Sequence, residues 1–231
     1  AIVDALIEHT DSNIRNFMLR HVVEHPNDIA RLSSRRFKIS RVAIGRYLRE
    51  LVELGLLTAK GNTKDREYKL ANILDVGFQI DITSKTNESD VWLQRVAPVL
   101  KGLPENVLTI CNWGFTEMLN NVIDHSNSEL AYVEISMTAL AVSIIVGDKG
   151  VGIFNKIQQK FGYNDPRQAL LELSKGKLTT DEKNHTGYGI FFTSRAFNKF
   201  VLGSGHVYFL RRNDGDEWLL YLEEKEESTS G

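Results

Sequence analysis

Residues 115–126 read Phe115-Thr116-Glu117-Met118-Leu119-Asn120-Asn121-Val122-Ile123-Asp124-His125-Ser126. Glu117, Asn121 and His125 recur at intervals of four, which on an α-helix puts all three on one face. Phe115, Leu119 and Val122 are free to pack inward. The polar stripe offers a carboxylate, an amide and an imidazole in one line. A carboxylate can take a proton from water or from a hydroxyl. An amide oxygen is a hard ligand that suits Mg²⁺, a cation that fills its shell with waters and phosphates. The plain alternative for the stripe is a solvated helix face.

Downstream, an apolar run over about 141–146 predicts a strand, and Asp148-Lys149-Gly150-Val151-Gly152 follows it at once. An acid followed by spaced glycines marks a turn where backbone comes close to another group. The Asp148 carboxylate can accept a hydrogen bond from an exocyclic amine such as that of adenine. Further on, Thr186-Gly187-Tyr188-Gly189 opens an apolar helical stretch over about 190–200. Helix N-termini carry unpaired N–H groups that attract phosphate, and small residues let backbone approach. Each glycine motif is common by itself. Their order behind the Glu117 helix is far more specific.

The remaining elements frame these motifs. Phe78, Ile80 and Ile82 alternate with polar residues, as in a strand, after a short connection over 71–76. Helical periodicity runs over about 90–100 and 105–125, broken by Gly102 and Pro104. Strands are predicted near 130–137, 206–211 and 217–222. Near the start, Ile14, Phe17, Met18 and Val22 recur at helical spacing, and Pro26 ends that helix. A short second helix follows Asn27-Asp28. A third is capped by Ser40, carries Ile44, Leu48 and Leu51, and stops at Gly55. Strands at 56–58 and 67–70 flank Gly61-Asn62 and predict a hairpin.

The chain has 231 residues, 42% hydrophobic and 25% charged, which is ordinary for a globular protein with one large or two small domains. No apolar run is long enough to span a bilayer, and no basic-then-apolar leader is visible. Cys111 is the one cysteine, so no internal disulfide is possible. These points lead us to expect a cytoplasmic protein. Charge is uneven. Residues 1–70 hold 13 Lys and Arg against 9 Asp and Glu, while residues 71–231 hold 15 against 21. A basic front and an acidic back suggest two domains, 1–74 and 75–231, with different partners.

Taken together, the three motifs resemble the GHKL superfamily of ATPases and kinases, which includes gyrase B subunits, histidine kinases and the serine-kinase anti-sigma factors. The resemblance covers about residues 78–223. It implies a Bergerat-type α/β sandwich, a mixed sheet layered on helices, that binds ATP with Mg²⁺. Asn121 would hold Mg²⁺. Asp148 would bind the adenine amino group, and Gly150 and Gly152 would let base and ribose approach. Thr186, Gly187, Tyr188 and Gly189 would meet the phosphates. Glu117 matches the general base of the members that hydrolyse ATP. Residues 154–185 would form a lid over the nucleotide. Where many members carry a late-strand threonine near the adenine, Trp218 or Leu219 stands.

Residues 11–71 resemble a winged helix-turn-helix, so the expected fold class is α+β: a winged helix, then the sandwich. In that family the third helix enters the major groove and the wing touches the backbone. The DNA contacts would be Arg41, Arg46 and Arg49 on the helix and Lys60, Lys64 and Arg66 on the wing. The combination implies a nucleotide-controlled DNA-binding transcriptional regulator with weak ATPase activity. A protein serine/threonine kinase of the anti-sigma-factor type is the alternative, with a protein partner or homodimer also open.

Overall fold

A computed structural model of the chain describes residues 12–62, 65–163, 165, 168, 189–204, 207–213 and 217–222. It is α+β, with antiparallel sheets. Two compact units divide it: the described residues up to Phe78 with Val133–Ile145, and Gln79–Tyr132 with those from Val146 onward.

The first unit begins with three helices, α1 (Ser12–His21), α2 (Ile29–Phe37) and α3 (Arg41–Glu53). A two-stranded hairpin follows, β1 (Leu57–Lys60) and β2 (Glu67–Leu70), antiparallel with Leu57 opposite Leu70. Met18, Leu19, Val22, Ile29, Ile44, Leu48, Leu51, Leu56 and Leu57 form one buried cluster. Each such side chain contributes about 1.5–3 kcal/mol by leaving water. Both ends of α3 are set locally. Ser40 Oγ accepts the Ala43 N–H at 3.2 Å. At the other end Gly55 takes φ +69°, and the N–H groups of Gly55 and Leu56 bond the carbonyls of Val52 and Leu51. That 5→2 and 6→1 pair is a Schellman stop. It turns Leu56 into the core and launches the hairpin. The Arg15 guanidinium bonds both carboxylate oxygens of Glu50, at 2.7 and 2.8 Å, and holds α1 to α3.

Strands β3 (Leu74–Asp81), β4 (Leu130–Met137) and β5 (Val142–Asp148) form a sheet in that order. The Ile73 N–H bonds the Met137 carbonyl and the Ile82 N–H bonds the Glu129 carbonyl, so β3 and β4 run antiparallel. A tight turn, with the Thr138 N–H on the Ala141 carbonyl at 2.9 Å, joins β4 to β5.

The second unit holds α4 (Glu88–Val91), continued by a π-helical turn (Trp92–Val96), and the long α5 (Glu105–His125). Then come α6 (Ile153–Phe161), α7 (Gly189–Ala196), β6 (Lys199–Ser204), β7 (Val207–Arg212) and β8 (Glu217–Leu222). Strands β6, β7 and β8 form an antiparallel sheet in which Arg211 stands opposite Trp218 and Leu210 opposite Leu219. Phe154, Ile190, Phe200, Val207 and Phe209 make its core, with Met118 of α5 packed against them. Among the described residues, the strands from β3 onward form two three-stranded sheets, a difference from the single mixed sheet expected from sequence. Among the described residues no helix is long and apolar enough to cross a membrane.

Candidate functional site

Helix α5 starts directly after Pro104, whose fixed φ suits a helix entrance. Cys111, Gly114, Phe115, Leu119 and Val122 are its buried residues. Glu117, Asn121 and His125 lie half-buried. Burial raises the Cys111 thiol above its ordinary pKa, as expected of an inert core cysteine. The Asn121 amide nitrogen donates to the Glu117 carbonyl at 2.7 Å. With Nδ2 engaged by the helix, Oδ1 is the end that suits a hard cation.

The helix ends in a cap that builds the second motif. Asn127 takes the left-handed conformation at φ +58°, a role asparagine tolerates. The Ser126 carbonyl, released from the helix, accepts the Val151 N–H at 2.8 Å. Gly150 packs so closely on that carbonyl that any Cβ would overlap it. The turn is closed from its other side by Asp148, whose Oδ1 accepts the Gly150 N–H at 2.7 Å. Asp148 is otherwise exposed, so its second oxygen faces outward from a carboxylate already held in one orientation.

Gly152 follows at φ +79° and opens α6. Its α-carbon lies against Ser204 Oγ at the end of β6. Two cations border this turn. Lys149 Nζ sits 5.4 Å from the centroid of the Tyr132 ring, and Lys156 Nζ donates to Asn127 Oδ1 at 3.2 Å.

The third motif is described only at Gly189, the first residue of α7; Thr186, Gly187 and Tyr188 lie outside the described residues. Gly189 packs on the Glu117 carboxylate, where a Cβ would overlap Oε2. Helix α7 is held to α5 a turn earlier as well, with Phe197 filling the space a side chain at Gly114 would need. At its other end the Asn213 side-chain amide donates to the carbonyls of Ser194, Arg195 and Phe197. These are carbonyls that a helix end leaves without partners.

Residues from all three motifs therefore meet on α5: Gly189 at Glu117, Asn121 one turn on, and Gly150 at Ser126. Ser204 and Asn213 escaped the sequence reading. The signal for Ser204 was weak because residues 199–200 read as the tail of a helix. Residues 154–161, expected in a lid, lie in helix α6, and most of 164–188 lies outside the described residues. Among the described residues no three His, Cys, Asp or Glu side chains cluster as a ready metal site.

In the first unit, Arg41, Arg46 and Arg49 of α3 are exposed, as are Lys60 and Arg66 of the hairpin. Lys64 lies outside the described residues. Arg66 also lies over the Tyr68 ring, 5.6 Å from its centroid.

No protein-family model matches the chain, and the search of curated proteins finds no relative.

Proposed function

We propose that the chain is a cytoplasmic, nucleotide-controlled DNA-binding regulator that binds ATP with Mg²⁺ on its GHKL-like domain. The observation that carries this reading is the meeting of Glu117 with Gly189 and of Ser126 with Gly150. Two glycine motifs far apart in the chain bring bare backbone against one polar helix, an arrangement suited to a ligand that needs close backbone approach. An adenine amino group fits the fixed Asp148 carboxylate. Phosphates fit the N-terminus of α7, where N–H groups and the helix dipole favour negative charge. Mg²⁺ takes few protein ligands and shares phosphate oxygens and waters, and Asn121 would be the protein ligand on this helix. Glu117, next to the phosphate end, takes the proton of an attacking water.

On this reading the three helices and hairpin of the first unit act as a winged helix, and Arg41, Arg46, Arg49, Lys60, Lys64 and Arg66 are its DNA contacts. Nucleotide controls DNA binding only if it has different affinity for two states of the protein.

The test is calorimetry of Mg·ATP binding to the full chain, with phosphate release followed in the same samples. Loss of binding in Asp148→Ala and Asn121→Ala supports the site. Loss of release in Glu117→Ala, with binding kept, makes it a hydrolase. Transfer of the phosphoryl group to a partner's serine makes it a kinase of the anti-sigma type. An intact chain without ATP affinity ends the reading.

A further inference from the structure

Gly45 stands in the middle of α3, where glycine is the poorest helix former after proline. Its backbone is ordinary right-handed helix, so no positive φ calls for it. Among the described residues, and apart from the helix's own backbone, nothing lies within 4 Å of where its Cβ would stand. Contrast Gly114, where a Cβ would strike Phe197. Among the described residues neither backbone nor packing asks for a glycine at 45, which turns attention to what the exposed face of α3 meets.

The surroundings indicate what that is. Spacing of four sets Arg41, Gly45 and Arg49 in one row along the helix, about 12 Å from end to end at 1.5 Å per residue. Val42, 71% exposed, and Arg46 form the adjoining row. All three arginines are exposed, and the Arg49 Nε–H reaches back to the Gly45 carbonyl at 3.3 Å. The face is thus a shallow notch with guanidinium groups at both ends and an exposed valine beside it. Arg35, Arg36 and Lys38, also exposed, precede it. Glu50 continues the Val42–Arg46 row but is taken up by Arg15, so the face keeps a net positive charge, and the complementary partner is a polyanion with a surface that a bare helix can enter. The major groove of duplex DNA is about 12 Å wide and admits one α-helix.

We infer that Gly45 is a close-approach position: it lets α3 seat in the major groove at a depth that any side chain at 45 would prevent. This deepens the DNA-binding reading and rests on it. Groove contact and helix stability then make opposite demands on residue 45. Alanine or glutamine there strengthens the helix and obstructs the groove.

The experiment enriches a duplex from a random pool on the full chain, then measures its binding by fluorescence anisotropy. Wild type, Gly45→Ala, Gly45→Gln and Arg46→Ala are compared, with a thermal melt of each. Both Gly45 variants should melt no lower than wild type, while affinity falls about tenfold for alanine and further for glutamine. Affinity kept within about twofold in both variants overturns the inference; if Arg46→Ala still weakens binding, the DNA reading itself stands. A wild-type chain that enriches no duplex removes both. Gly45 variants that keep DNA affinity but change self-association in sedimentation overturn the inference in favour of a protein contact.

Discussion

The carboxylate of Glu117, in the middle of α5, lies against the α-carbon of Gly189, the first residue of α7. No side chain fits between them. The pairing ties the polar stripe of the long helix to the one described residue of the third motif. Under the proposed function this puts the carboxylate beside the helix end assigned to phosphate, where proton transfer needs hydrogen-bond reach.

Gly189→Ala puts a methyl group into Glu117 Oε2. The carboxylate, the far end of a flexible and half-buried side chain, is the part that must swing away, so the stability cost should stay at or below about 1 kcal/mol while the carboxylate's position changes. Nucleotide affinity should fall with it. Removing the obstacle in Glu117→Ala/Gly189→Ala should recover part of the loss, with a coupling of about 0.5–1 kcal/mol. Urea unfolding of the four members of this cycle measures it. Strict additivity would mean that the two residues do not touch.

Asp148 does two separable things. One oxygen holds the glycine turn through the Gly150 N–H; under the proposed function the other accepts from the amine of the base. Asp148→Asn keeps an acceptor for the turn and should fold with near-native stability. Asp148→Ala loses the bond and should cost about 0.5–1.5 kcal/mol. For ATP the two should look alike, each weaker by about tenfold or more, because neither can offer the amine a charged acceptor. Calorimetry that finds full affinity in Asp148→Asn removes the carboxylate from the base site.

Much of this was legible because it is local. Pro104 and the run from Leu108 to Val122 define α5, and Ser40 and Gly55 define α3, through rules that act within one or two turns. The failures have the same logic. Phe191, Phe192, Ala196 and Phe200 prolong a helical period across 190–200, yet α7 stops at Ala196. The stop is made by Asn213, a residue from the far side of β7, and no local pattern carries that. Ile153, Phe154 and Phe161 are spaced for a helix but follow glycines and sit among polar residues, which reads as loop. Strand order is equally non-local: among the described residues the strands from β3 onward form two three-stranded sheets where one mixed sheet was expected. For the site, the spacing of Glu117 and Asn121 was visible, but the seat of Gly152 on Ser204 was not.

Asn213 offers a test of how α7 is held. The two hydrogens of its Nδ2 are shared among the carbonyls of Ser194 and Arg195 at the end of α7 and of Phe197 just past it, and its Oδ1 accepts from Arg211 Nε at 2.9 Å. Asn213→Ala strands those carbonyls and should cost about 1–3 kcal/mol. Asn213→Asp should be no better, because a carboxylate has no hydrogen to donate and meets the negative end of the helix dipole. Chemical denaturation gives the cost, and hydrogen exchange should rise along α7 before it rises in α5. An Asn213→Asp variant as stable as wild type would show that the carbonyls need no donor.

Asp28 makes the stability of the first unit depend on acid. Its carboxylate accepts from Arg31 at 2.8 Å and pairs with His25 at 2.9 Å. The Arg31 hydrogen bond first, and the His25 contact second, hold its pKa below the ordinary carboxylate value. A depressed folded-state pKa means that the unfolded chain binds the proton more readily. The contribution is therefore present in full above the ordinary carboxylate range and is lost as pH falls through the lowered value. Asp28→Asn cannot titrate and keeps no charge for Arg31. Melts of the two proteins should differ in favour of wild type near neutral pH and converge in strong acid. A gap that stays constant down the acid limb would mean that Asp28 gains nothing from its ionised partners.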